Sequence, residues 1–425
     1  MSPGGVLGHV RGWVGRVYLK RLRRRGFTRL GHLPVPEAAR FPLRRDGLDP
    51  VPELGRVRAE QPVSRLPLPF GMTVWLVTGY PEAKAVLADD TSFSNDFANL
   101  GAVGLTPEQD PGGLGFRDPP EHSRLRRMLM PEFTIHRLRQ LAPRIDSIVA
   151  DRLDRMSSAP QPVDLVREFA LPIPSLLICE LLDVPYADRA DFQRLAMARF
   201  DVAGGTGASI GAVSESLRYL RGLARRQRAA PTDGMLGRLV RRHGDELDDD
   251  ELTGLADGLL TGGFETTASM LALGALAMLR DPVLFGQVAG GEDEVHRAVE
   301  ELLRHLSVVQ ITFPRFARTD VTIGATVVAK GDVVLCSLSG ANRDPVLGED
   351  MEHLVPGRAP TQHLAFSHGV HRCLGAELAR MELRIALPAL AHRFPRLRLA
   401  VPPEELSLRE LSLVHGVDAL PVYLG

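Results

Sequence analysis

The pattern of hydrophobic and polar positions predicts a mainly helical chain with a few short strands. Three runs rich in β-branched residues predict strands: 73–79, 321–338 and 397–403. The clearest helix begins where Asp248 can cap it, with Glu251 three residues later, and it ends at Arg280 before an Asp-Pro pair. Such a helix is about 45 Å long. Because it is apolar over much of its length, we expect it to be buried.

The middle of this helix carries the sequence TGGFETTAS at 261–269. Gly262 and Gly263 each cost about 1 kcal/mol relative to alanine inside a helix, and Thr266 adds β-branched strain. Adjacent glycines allow a close approach to the backbone or a local kink. Glu265 and Thr266 place an acid beside a hydroxyl near that opening, and a buried acid and hydroxyl need partners. The segment therefore predicts a functional site.

Overall composition excludes few functions. The chain has 425 residues, 44% of them hydrophobic, and a net charge of −1, so charge predicts neither nucleic acid nor membrane as a partner. Its three cysteines are far apart, which argues against a disulfide framework and for a reducing, cytoplasmic location. Cys179 and Cys336 are flanked by aliphatic residues, so we expect both to be buried as small hydrophobic side chains.

Residues 1–45 form a basic N-terminal extension, with no acidic residue before Glu37. Apolar residues recur at helical spacing between Val10 and Leu22. This pattern predicts either an amphipathic basic helix that touches an anionic surface or a solvated extension. No apolar stretch has the length that a signal peptide or a membrane span needs. Further along, the basic and polar run at 224–234 predicts an exposed linker between helices.

Cys373 lies in FSHGVHRCLG at 366–375, just before a helical pattern, where helix-terminal N–H groups lower the pKa of a thiol. Four roles are open for it. It could be a haem-iron ligand, a nucleophile with His371 as base, a buried structural thiol, or a zinc ligand with His363, His368 and His371. Separately, Glu301 and Arg304 have a spacing that is ordinary for a pair on one helix face.

Five motifs occur in a fixed order: DPPEHSRLRR at 118–127, GGFET at 262–266, ELLR at 301–304, ANRDP at 341–345 and FSHGVHRCLG at 366–375. Together they resemble the cytochrome P450 superfamily, specifically its soluble bacterial members, over nearly everything from residue 45 to the end. The resemblance implies a catalytic domain at 46–425 with a cytochrome P450 fold, mainly α with small β-sheets. It places a long central helix over haem b, with a cysteine ligand loop.

The resemblance also implies roles for individual residues. Cys373 would bind the iron, with Phe366 on the thiolate side of the haem and Gly263 beside the cofactor. Thr266 would hydrogen-bond dioxygen and Glu265 would deliver protons, while thiolate ligation favours O–O cleavage. Glu301 and Arg304 would be a structural pair. Four side chains would bind the haem propionates: His122, Arg126, Arg315 and His371.

These assignments imply a monooxygenase that hydroxylates a lipophilic small molecule, such as a fatty acid, terpenoid, steroid or polyketide. Its electrons would come from NAD(P)H through a ferredoxin or flavodoxin and its reductase. A peroxide-driven hydroxylase and a haem sensor without turnover are the alternatives. The substrate pocket would draw on 93–115, 185–225, 308–313 and 413–416. Four residues are candidates for its wall: Phe264, Val309, Ile311 and Val414.

Two residues depart from the family pattern, and one of them is Gly262, which stands where alanine is more common. Ser367 stands where the family usually has glycine, a residue that serves unusual backbone conformations. The geometry of the ligand loop is therefore expected to differ slightly.

Overall fold

The computed structural model describes residues 36–68, 73–96, 114–200 and 205–425. Its α-helices within these ranges are α1 Pro52–Glu60, α2 Tyr80–Ala88, α3 Glu121–Leu129, α4 Ile135–Ser157, α5 Pro172–Leu182, α6 Arg189–Phe200, α7 Gly205–Ala229, α8 Met235–His243, α9 Asp249–Arg280, α10 Pro282–Val288, α11 Glu292–Leu306, α12 Leu338–Ala341 and α13 Ala376–Arg393. Its strands there are β1 Arg45–Asp46, β2 Asp49–Pro50, β3 Val63–Leu66, β4 Val74–Val77, β5 Phe93–Ser94, β6 Val163–Asp164, β7 Arg315–Ala317, β8 Val321–Ile323, β9 Thr326–Val328, β10 Val333–Cys336, β11 Arg398–Leu399 and β12 Pro421–Tyr423.

The strands form small sheets at the edges of the helical body. The largest has the order β3-β4-β10-β7-β5, in which β10 pairs with β4 in parallel and the other pairs are antiparallel. The run at 321–338, predicted as β-rich, contains three strands because turns interrupt it. The strand predicted at 397–403 is shorter, since only β11 pairs within it, as part of the sheet β11-β12-β6.

Helix α9 is the central element, and its predicted bounds are confirmed. The Asp248 side chain accepts from the N–H of Glu251 at 2.7 Å, and the Glu251 carboxylate accepts from the N–H of Asp248 at 3.1 Å. Although α9 is long and apolar enough to cross a membrane, 72% of its most apolar stretch is buried inside the protein. The core helix of a large domain has the same properties.

Two hydrophobic clusters meet along α9. Its first half, including Leu255 and Phe264, packs with residues of α3, α5, α7 and α8. Its second half, including Met270 and Leu276, packs with residues of α4, α11 and α13. Glu265 and Thr266 therefore lie where the two clusters join.

Two segments that the sequence predicts to lie outside the folded body, at 224–234 and 1–45, are partly packed into it. The run at 224–234 is not all linker, because α7 continues to Ala229 and Ala224 is fully buried. The expected extension at 1–45 includes packed residues, since Phe41 is buried beside Leu54 and Leu76. The helix expected within residues 10–22 lies outside the described residues.

Candidate functional site

The loop before α13 holds Cys373 in a fixed turn. The N–H of Cys373 donates to the carbonyl of Phe366 at 2.9 Å, which closes the loop. Gly369 has a φ of +71° and packs so tightly on the backbone of Leu87 that no side chain fits there. Ser367 also adopts a left-handed φ, +60°, which a non-glycine residue rarely adopts. Serine thus adopts here the left-handed backbone conformation that glycine favours.

Cys373 differs from the other two cysteines. Cys179 and Cys336 are completely buried, as predicted, and burial raises the pKa of each thiol to about 12. Cys373 has a solvent-accessible side chain, although protein atoms surround it closely enough to desolvate the thiol. Burial raises its pKa more than the Gly375 N–H and nearby arginines lower it. The lowered pKa predicted from the helix terminus is thus wrong for the protein alone, because desolvation outweighs the terminus.

A cationic cluster lies beside this thiol. His122 and Arg126 are one turn apart on α3, and Arg315 starts β7. The rings of His122 and His371 are 4.2 Å apart between centroids. Burial is the main cause that lowers the pKa of His122 to about 4 and that of His371 to about 3. Positive charge nearby adds to it, from Arg126 at His122 and from His122 and Arg315 at His371. Both imidazoles are therefore neutral at pH 7.

The two arginines of the cluster lack acidic partners. Within the described parts of the chain, neither the Arg126 nor the Arg315 guanidinium has a hydrogen-bond or ion-pair partner. Nδ1 of His122 is buried and also unpartnered. Arg315 is buried and Arg126 is half-buried, and no carboxylate of the described residues bonds to either guanidinium. Since buried charges are normally paired, the two groups make a site for a ligand with two negative charges.

One stripe of α9 is open although the helix is otherwise buried. Gly258 and Gly262 are exposed, and a Cβ at either position would meet nothing within 4 Å. One turn later, the Thr266 hydroxyl donates to the carbonyl of Gly262 at 2.7 Å. The stripe thus borders open space, called the cavity below, and places a hydroxyl beside it. The sequence reasoning missed Gly258, although its spacing of four residues from Gly262 was a usable signal.

Two residues predicted for the site lie elsewhere. A Cβ at Gly263 would contact Ile178 at 3.3 Å, so this glycine faces α5 and the opening is at Gly262. Phe264, predicted for the substrate pocket, is 1% exposed and packs in the cluster around α3, α5 and α8. The rotation of α9 about its axis, which packing sets, decides both placements.

Glu265 is held by a residue that the sequence did not indicate. Nη1 of Arg409 lies 3.1 Å from its carboxylate. Burial raises the pKa of Glu265 to about 7, although Arg409 lowers it. A carboxyl group with this pKa exchanges protons readily near neutral pH.

Apolar residues line the region expected for the substrate. Val309 and Val414 are half-buried and face each other across an isolated β-bridge. Ile311 is buried and pairs with Ser337. Two residues later, the centroid of the Phe313 ring lies 4.7 Å from that of the Phe116 ring. Residues 97–113, predicted to contribute to the same pocket, lie outside the described residues.

Glu301 and Arg304 form a buried ion pair away from the thiol loop. Arg304 donates from Nε at 2.7 Å and from Nη2 at 2.8 Å, and both side chains are almost fully buried. Arg304 also donates to the carbonyls of Asn342, Met351 and His353. The pair therefore fixes the segment that leads to the thiol loop.

The donor set fits a haem and does not fit zinc. Across the described ranges, no three His, Cys, Asp or Glu side chains come together as metal ligands, and His363 instead contacts Glu300 at 3.2 Å. An accessible thiol, near two arginines that bond to no carboxylate of the described residues, fits a single axial ligand and the two propionates of a haem. Phe366 lies beneath the Arg380 guanidinium, with 4.6 Å between that group and the ring centroid.

Comparison with known proteins agrees with this geometry. The family model described as Cytochrome P450 matches residues 295–410. Cytochrome P450 165B3 of Amycolatopsis orientalis is 39% identical over 89% of this chain and 97% of its own length. The mycinamicin IV hydroxylase/epoxidase of Micromonospora griseorubida is 39% identical over 88% of this chain and 96% of its own.

Solved structures give the same answer for the fold. The P450 StaH from glycopeptide antibiotic A47934 biosynthesis superposes with a TM-score of 0.81 at 39% identity, covering 91% of this chain and 100% of that one. Identity of this level over nearly the whole chain, together with the thiol loop, the buried Glu301–Arg304 pair and the open stripe of α9, leads to one conclusion: the chain is a monooxygenase of the cytochrome P450 family.

Proposed function

We propose that this enzyme hydroxylates a C–H bond of a lipophilic small molecule in the cytoplasm, using dioxygen and electrons from a ferredoxin or flavodoxin. The observation that carries the proposal is a hydroxyl on the open stripe of α9, that of Thr266, directly next in the chain to an ionisable acid, Glu265. Thr266 lies on the open stripe, and Glu265, whose pKa burial raises to about 7, precedes it in the same helical turn. An acid beside a hydroxyl is suited to delivering protons, which dioxygen cleavage requires.

The residues that would hold the haem are those of the cationic cluster and the thiol loop. Cys373 would ligate the iron, and Arg126 and Arg315, with His122 and His371, would bind the two propionates. The bound haem supplies the dioxygen chemistry. The protein supplies charge neutralisation, a proton path and a cavity that excludes water.

The substrate is proposed to be a bulky, mostly apolar metabolite. Val309 and Val414 offer aliphatic contacts, and Phe116 and Phe313 offer aromatic ones. Fatty acids, terpenoids, steroids and polyketides are the candidate classes. One relative, a hydroxylase/epoxidase, is named for mycinamicin IV.

Electrons are proposed to enter at the face that carries the thiol loop. Arg127 and Arg372 are exposed there, on α3 and in the loop itself. Their positive charge would attract an acidic ferredoxin and raise the rate of encounter.

The test uses the purified haem protein with a surrogate ferredoxin, its reductase and NADH. Candidate metabolites are first screened for a substrate-induced change in the iron spin state, and those that bind are incubated under ¹⁸O₂. Incorporation of one ¹⁸O atom per product supports the proposal. Equal turnover with hydrogen peroxide alone would favour the peroxide-driven alternative, and a haem protein without turnover under either condition would favour a sensor.

A further inference from the structure

Arg409 bridges two acids that lie at different depths. It belongs to a hairpin, residues 407–418, closed by the N–H of Arg409 on the carbonyl of Gly416 and the N–H of Asp418 on that of Ser407. Nη1 of Arg409 lies 3.1 Å from Glu265, and its Nε lies 3.1 Å from Asp418. The exposed fractions of the Glu265, Arg409 and Asp418 side chains are 14%, 19% and 59%. The three charges therefore run from the cavity wall to the surface.

The hairpin rests directly on α9 just beyond Glu265. A Cβ at Gly416 would meet Oγ of Ser269 at 2.9 Å and Nη1 of Arg409 at 3.2 Å. Glycine at this position thus allows the hairpin backbone, the arginine and the helix to approach one another. Gly416 and Ser269 confine the Arg409 guanidinium on the side of α9. It can therefore move away from Glu265 only toward Asp418, which it already contacts.

The charge of Glu265 depends on this one cation. Burial favours its neutral form, and the Arg409 guanidinium favours its ionised form. The other titratable groups on the hairpin are Glu410, His415 and Asp418. Glu410 is exposed, and burial keeps His415 neutral by lowering its pKa to about 3. Asp418 competes with Glu265 for the same guanidinium.

We propose that Arg409 is a positioning residue that controls proton transfer at Glu265 by being shared between Glu265 and Asp418. This inference rests on the proposed function of Glu265. While Arg409 pairs with Glu265, the carboxylate is held against the hairpin. When Arg409 pairs with Asp418 alone, the carboxyl group is free to turn toward Thr266.

The proton balance of this step closes. Ionised Glu265 takes one proton from a hydronium ion of the solvent at the Asp418 end of the path, which leaves water. It gives this proton to the Thr266 hydroxyl oxygen, while the hydroxyl's own proton leaves the Gly262 carbonyl and passes into the cavity. Because that hydroxyl donates to Gly262 in the resting geometry, its oxygen lone pairs remain to accept. Both residues then return to their starting charge.

The same hairpin also forms part of the proposed substrate wall. The carbonyl of Leu413 accepts from the N–H of Gln310 at 3.0 Å, and the N–H of His415 donates to the carbonyl of Val308 at 2.7 Å. Val414 lies between them. A change at Arg409 therefore needs a control that disturbs the hairpin without touching Glu265.

The experiment measures the titration of Glu265 by infrared difference spectroscopy of its carboxyl band, using Glu265→Gln to assign the band. In Arg409→Gln the pKa of Glu265 is expected to rise by about 1 to 3 units, because an adjacent guanidinium lowers a carboxyl pKa by that amount. In Arg409→Lys, which keeps a positive charge at this position, the pKa of Glu265 should stay close to its wild-type value. Asp418→Asn should lower the pKa of Glu265, because Glu265 is then the one carboxylate of the two that still forms an ion pair with Arg409. The control Glu410→Gln should leave it unchanged.

Opposite shifts in the Arg409 and Asp418 variants distinguish electrostatic control from a merely disturbed hairpin. With a turned-over substrate, Arg409→Gln should also form more peroxide per NADH at neutral pH, and its coupling should shift in pH with the pKa of Glu265. An unchanged Glu265 titration in Arg409→Gln would overturn the proposal. The titration needs no turnover, so failure of the proposed hydroxylase activity would not alter this result.

Discussion

Replacing Glu301 by glutamine tests how the buried pair with Arg304 supports the fold. The Glu301 carboxylate accepts four hydrogen bonds: two from Arg304, one from the N–H of Val355 at 2.9 Å and one from Nε of Arg358 at 3.1 Å. Glutamine keeps one oxygen. Its amide N–H₂ would take the place of Oε2, which now faces Nε of Arg304 at 2.7 Å, so two donors would oppose each other.

The expected loss is large because the partner is left charged and buried. Removing one member of a buried ion pair costs about 3 to 5 kcal/mol. Asp191 and Arg194 provide a matched control, since they have the same three-residue spacing on α6, with side chains 77% and 64% exposed. Exposed pairs contribute about 0.2 to 1 kcal/mol. Asp191→Asn should therefore cost less than about 1 kcal/mol.

The assay is equilibrium unfolding in urea, followed by far-UV circular dichroism and by loss of the haem absorbance. Burial alone would raise the pKa of Glu301, but hydrogen bonds from Arg304 hold it below the usual value. A lowered folded-state pKa stabilises the protein above the unfolded-state pKa of about 4.3. The difference in the free energy of unfolding between wild type and Glu301→Gln should thus be full at pH 7. It should shrink as the pH falls below the unfolded-state pKa of about 4.3. Equal losses in Glu301→Gln and Asp191→Asn would refute the reasoning.

Three further predictions follow from single residues. Thr266→Ala should keep haem and substrate binding but release more peroxide and less product per NADH, as measured by parallel peroxide and product assays; unchanged coupling would contradict its role. Ser367→Gly should raise the free energy of unfolding by about 1 kcal/mol, because it relieves a left-handed φ. The control is Ser158→Gly, because Ser158 has an ordinary φ of −98°. This change should lower the free energy of unfolding by a few tenths to about 1 kcal/mol. Arg127→Glu should slow the reduction of the haem by an acidic ferredoxin in stopped-flow experiments and weaken the salt dependence of that rate. A reduction rate that changes neither with this substitution nor with ionic strength would place electron entry elsewhere.

Local features of the fold could be predicted from the sequence. The capping box at Asp248 and Glu251 needs only neighbouring residues, and both hydrogen bonds are present. Aliphatic neighbours were enough to predict burial of Cys179 and Cys336. The family resemblance singled out Ser367, but it predicted only a slight change in loop geometry and not the left-handed φ that this residue adopts.

Features that depend on tertiary packing could not be predicted. Arg409 is 144 residues from Glu265, and no local pattern links an arginine in a hairpin to an acid in a central helix. Phe264 and Gly263 were misplaced because composition cannot fix the rotation of α9 about its axis. For Cys373 the helix terminus gave the wrong sign of the pKa shift, since the depth of the site was unknown.

The central claim is that Cys373 is the axial thiolate ligand of a haem. The most direct test is the ferrous–CO difference spectrum of the purified haem protein, compared with Cys373→His, Cys179→Ala and Cys336→Ala. We expect the wild type and both alanine variants to show the red-shifted Soret band typical of thiolate ligation, because Cys179 and Cys336 are buried away from the thiol loop. Cys373→His should lose that band. A thiolate-type band that persists in Cys373→His would contradict the assignment.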